Sequence, residues 1–92
     1  MLTTSFNDLT IAEAFGVSAI KNTCNTLFKQ FKNDYKYLTE LYMVYNWKIW
    51  QHYEKKNNEL VKFYTKKWDD LYAYVCEHFT KEQLHYFYKI TD

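Results

Sequence analysis

Read for hydrophobic periodicity, the chain falls into segments that repeat at helical spacing. Ile20, Cys24, Leu27, Phe28 and Phe31 share one face, while Asn22, Asn25, Thr26 and Lys29 share the other. That 3.6-residue alternation predicts an amphipathic helix over 18–33, capped by Ser18. The stripe Leu38, Leu41, Tyr42, Tyr45, Ile49 and Tyr53 predicts a second over 34–56, with Asp34 as its cap. Leu60, Tyr64, Trp68, Leu71 and Val75 predict a third over 59–78. Two shorter helices are signalled by S/T-x-x-E/Q capping boxes. Thr10 with Glu13 opens 10–15, which Gly16 stops, and Thr80 with Gln83 opens 80–90, with Leu84, Phe87 and Tyr88 on one side. Residues 1–9 read as an irregular leader held by Phe6 and Leu9.

The breaks are few. Asn57-Asn58 is a turn signal, because Asn tolerates the left-handed conformation that ends one helix and also caps the next. Asn33-Asp34 is a second break, its polar side chains being better suited to caps than to helix interiors. Without that break, 18–56 would be one helix of about 60 Å, and half of it would need a homo-oligomer or another protein as partner. Short connections make neighbouring helices antiparallel. The expected fold is therefore all-α: one domain over 1–92, a compact bundle around a long antiparallel helical hairpin, with shorter N- and C-terminal helices over its open side.

Composition supports this reading. The 92 residues contain one Gly and no Pro, too few turn formers for an all-β fold. Aromatics make up 22%, far above what disordered chains carry. No apolar run approaches the ~20 residues of a membrane span. MLTTSFNDLT lacks the basic-then-apolar pattern of a signal peptide, so a cytoplasmic location is expected, with no membrane partner. The net charge of +1 implies no strong field for nucleic acid, and every one of the 12 basic residues is Lys. Arg is the usual reader of phosphates and base edges. Cys24 and Cys76 read as two buried thiols of a reducing compartment.

Signals for catalysis are thin. His52 and His78 lie beside core stripes. Glu82-x-x-His85 is half of a di-iron helix motif that needs a second copy and further glutamates. Cys76-x-His78 offers two metal ligands with no second pair at zinc-site spacing. No Gly-rich phosphate loop is present. The chain is expected to be no enzyme and to use no cofactor or metal.

Two surfaces are candidates for binding. Met43, Trp47 and Trp50 lie opposite the core stripe of the second helix, flanked by Lys36, Glu40 and Glu54. Either the terminal segments pack over them, or they form an aromatic patch for a partner, with Phe63 and Tyr74 at its margin. Lys55, Lys56, Lys62, Lys66 and Lys67 cluster at the hairpin tip. They form either a solvated face with pairs such as Lys66–Asp70, or a basic end that contacts RNA or a single strand weakly through charge and stacking.

The blocks DYKYLTEL (34–41), NWKIW (46–50) and HYFYKITD (85–92) give the stretch from Phe28 to Asp92 its resemblance. It is similar to small helical proteins of phages and mobile elements in Bacteroidota, among which are anti-CRISPR inhibitors. The resemblance implies stoichiometric binding to an RNA-guided type VI ribonuclease or its RNA complex, inside the host bacterium, with interference in guide RNA loading or use. It transfers no site residue. The expected role is a non-enzymatic inhibitor or adaptor that binds a host protein. The alternative is a weak RNA-binding protein acting through the lysine-rich tip.

Overall fold

The computed structural model describes residues 6–92, and among these it contains five helices and no strand. The leader residues 1–5 lie outside the described residues. The chain divides into two compact units at Asn33–Asp34.

The first unit holds α1 (Asn7–Glu13) and α2 (Val17–Phe31), which pack together, with Leu9, Ala12, Ile20, Cys24 and Leu27 buried. Both helices start elsewhere than the sequence predicts. Thr10 sits inside α1 rather than at its cap, and Glu13 is its last residue. The helix begins three residues earlier, where Asp8 meets the positive end of the dipole and Leu9 enters the buried face. Residues 7–9 are therefore helical, not part of an irregular leader. Gly16 does not simply stop α1. It is the N-cap of α2, at φ 109° and ψ 177°, a backbone region reserved for glycine. Val17 thus opens α2, and Ser18 lies within it.

The second unit is an antiparallel hairpin of α3 (Tyr35–Glu54) and α4 (Asn58–His78), with α5 (Lys81–Thr91) packed on α3. Ring contacts run in opposite senses along the pair: Tyr42 meets Tyr72 and Trp68, while Tyr45 and His52 meet Tyr64. Asp34 caps α3 as expected, its Oδ1 accepting from the Tyr37 N–H at 3.1 Å. The long continuous helix is therefore excluded, and its particular need for a second copy or another protein as partner lapses with it. At the hairpin tip the left-handed residue is Lys56 (φ 59°), not Asn57. The Asn57 and Lys56 N–H groups donate to the carbonyls of His52 and Tyr53 at 2.9 and 3.1 Å, the Schellman arrangement that closes a helix end. Asn57 is thereby free to cap α4, accepting from the Leu60 N–H at 3.3 Å. The Thr80 capping box forms in both directions, with Gln83 N–H donating to Thr80 Oγ1 at 3.2 Å and Thr80 N–H donating to Gln83 Oε1 at 3.0 Å.

Much of the aromatic excess packs inside this unit. Tyr42 stacks on Trp68 at 5.1 Å and meets Phe87 edge-on at 4.9 Å. Tyr35 meets Phe79 and Tyr86 edge-on, and His52 stacks on fully buried Tyr64 with the rings 4° from parallel. No helix among the described residues is long and apolar enough to cross a membrane.

Candidate interaction surface

The face that α3 buries differs from the predicted stripe in its second half. Leu38, Leu41 and Tyr45 are buried as expected, followed by Lys48 at 2% exposure and His52 at 5%. Ile49 is only half-buried and Tyr53 is exposed. Thr39 is buried beside Leu38; along the line of Leu38, Leu41, Tyr45, Lys48 and His52 the spacing alternates three and four, the 3.5-residue repeat of helices that wrap around one another. A straight 3.6-residue projection drifts off that seam and places Ile49 and Tyr53 where Lys48 and His52 belong.

The opposite face carries the aromatic candidates. Trp47 and Trp50 are 62% and 60% exposed, Met43 43%, and Tyr53, beyond them, 63%. Neither α4 nor α5 covers them. Trp50 and Tyr53 meet edge-on at 5.9 Å, and Lys48 Nζ lies 5.8 Å from the Trp47 ring. Lys36, Glu40 and Glu54 are exposed along the same helix, Lys36 Nζ lying 6.0 Å from the Tyr86 ring. In the tip half of α3 the polarity is inverted: a lysine and a histidine are inside, and two indoles are outside. Isolated exposed hydrophobics are ordinary; several along one helix face are less so.

Phe63 and Tyr74 belong to α4 and do not extend this row. Both are half-buried. Phe63 meets Tyr64 edge-on, with Lys67 Nζ 5.9 Å from its ring, and Tyr74 stacks on His78 at 4.2 Å. Tyr53 is the residue that sequence reasoning placed in the core and the structure adds to the surface.

The lysines do not share one face. Lys55 and Lys56 are in the turn after α3, and Lys62 and Lys66 line an open groove of α4 with Asn58, Val61, Thr65, Asp69 and Asp70. Lys66 and Asp70 pair at 3.5 Å with both side chains mostly exposed, an arrangement of small energetic value. Lys67 points elsewhere, toward Phe63. The groove therefore mixes two lysines with two carboxylates.

The remaining polar chemistry is dispersed. Cys24 is buried but Cys76 is exposed, against the expectation that both are interior. Cys76 sits one helical turn after Tyr72, outside the stripe that ends at Val75. His78 is exposed as well. Tyr72 and Tyr88 share a hydroxyl–hydroxyl hydrogen bond of 3.1 Å, and this bond, with the nearby Cys76 thiol, pushes the Tyr72 phenol above its ordinary value. Burial, then the Asp69 carboxylate, raises Tyr42 likewise. Among the described residues no three His, Cys, Asp or Glu side chains gather as a metal site would require. The chain matches no protein-family model, no curated protein and no solved structure.

Proposed function

We propose that this chain is a non-enzymatic binding protein, an inhibitor or adaptor that docks on another protein through the α3 surface centred on Met43, Trp47 and Trp50. The observation that carries this reading is the inversion in the tip half of α3, where indoles face outward while Lys48 and His52 are buried. Exposed Trp gains most by being buried against a partner, and Trp, Tyr and Arg dominate interface energetics. Lys36, Glu40 and Glu54 supply the polar margin that such surfaces carry. The resemblance to phage-borne inhibitors names the first partner to try: an RNA-guided type VI ribonuclease, held in a stoichiometric complex that interferes with guide RNA loading or use.

The test is titration of the full chain against such an effector, with and without guide RNA, reading both complex formation and target cleavage. Trp47→Ala and Trp50→Ala are each expected to weaken binding by about 30-fold or more, the penalty of losing a central aromatic anchor. Full binding by both variants would overturn the assignment of the surface. Binding that survives these changes, follows the lysines at 55, 56, 62, 66 and 67, and falls steeply with salt would instead identify an RNA-binding protein.

A further inference from the structure

The exposed face of α3 is a second complete heptad seam. Lys36, Glu40, Met43, Trp47, Trp50 and Glu54 follow one another at spacings of four, three, four, three and four residues. All six are exposed. That is the a/d repeat by which one helix wraps against another, and it runs opposite the seam of Leu38, Leu41, Tyr45, Lys48 and His52. One helix thus bears two seams, one buried and one open.

The open seam is complementary to itself. If two copies of α3 are laid antiparallel about a two-fold axis beside Tyr45, every a position meets a d position. Lys36 then faces Glu54 of the second copy, Glu40 faces Trp50, and Met43 faces Trp47. The ends pair opposite charges across the axis. The centre pairs a thioether with an indole, a favourable contact, and each outer Trp presents an indole N–H to a carboxylate. A parallel pair would set Lys36 on Lys36 and Glu54 on Glu54. A two-fold axis uses one patch twice, so each favourable contact is made twice.

We infer that the occupant of this face in the free protein is a second copy of the same chain, bound through an antiparallel α3–α3 seam. This rests on the reading that the face is an interaction surface, and it supplies a partner available wherever the chain is concentrated. Three aromatics at 60–63% exposure and the residues around them offer about 1,000 Å² over both copies, at the small end of specific interfaces. The dimer is accordingly weak and reversible, and a partner protein that uses the same seam competes with it.

Charge reversal separates this pairing from any other. In sedimentation equilibrium of the full chain from roughly 1 μM to 1 mM, the wild type passes from monomer to dimer. Lys36→Glu and Glu54→Lys each place like charges at both ends and raise the dissociation constant at least about tenfold. The double reversal restores opposite charges and brings the constant back toward wild type. Lys36 and Glu54 lie about 27 Å apart along one helix, so rescue cannot come from a contact within a chain. A monomer at every concentration, or a double reversal no better than the singles, overturns the inference. A chain that stays monomeric but loses a partner protein with Trp47→Ala overturns the dimer and leaves the binding role intact. Rescue by the double reversal, with no partner protein bound through Trp47, upholds the dimer alone.

Discussion

Lys56 holds a conformation that costs an L-residue with a Cβ, and Gly16 holds one that only glycine takes readily. At Lys56 the φ of 59° lies in the left-handed region, disfavoured by roughly 1–2 kcal/mol for most residues. Lys56→Gly removes that strain at some entropic cost, and chemical denaturation is expected to show a gain of about 0.5 kcal/mol. Gly16 differs: a Cβ there would meet nothing within 4 Å, yet φ is 109°. Gly16→Ala is therefore a backbone lesion without a clash, with an expected loss of about 1–3 kcal/mol. Equal effects at the two sites would contradict this account of both turns. Tyr72 supplies a pH signature. Its folded pKa is raised by the hydrogen bond to Tyr88 and by the nearby Cys76 thiol, so its contribution is fully present below the unfolded value of about 10 and is lost as pH rises through the folded one. Stability measured from about pH 10 upward should fall less steeply in Tyr72→Phe than in the wild type, and an unchanged slope would remove the phenol pair from the account.

At the scale of elements, caps were more legible than faces. Asp34 and Thr80 stand at the helix starts their sequences announce because a side-chain oxygen satisfying an N–H two or three residues on is a local matter. Thr10 misled because its box lay inside a helix whose start was decided by Leu9 entering the buried face. Asn57 was displaced by one residue because the turn spent its left-handed position on Lys56 and kept Asn57 as a cap. The face of α3 was legible only in its first half. A side chain such as Lys48 reads as solvated, and only the 3.5-residue repeat, sustained from Leu38 to His52, places it inside. Read strictly as heptads, the same helix would have shown both seams, and Tyr53 would have been assigned to the surface. Asp34→Ala should cost about 1 kcal/mol and lower the helicity of the first turn of α3; unaltered stability would mean that Asp34 does not set the break.

Across the whole molecule, composition decided the class and little else. One Gly, no Pro and 22% aromatics pointed to helices joined by few turns, which the described residues bear out. The division at Asn33–Asp34 coincides with the polar pair that reads as a break. What composition left open was which aromatics belong to the fold. Buried Tyr64 and Phe87 belong to it, as does half-buried Tyr42 through its ring contacts, whereas Met43, Trp47 and Trp50 stand outside. The central claim is that this row serves contacts beyond the chain, and urea unfolding of the Trp47→Ala/Trp50→Ala variant tests it most directly. At a concentration low enough to keep the chain monomeric, each site should lie within about 0.5 kcal/mol of the wild type, as exposed positions do. A loss of about 3 kcal/mol or more per site, the cost of truncating a buried aromatic, would place the indoles in the fold and contradict the account.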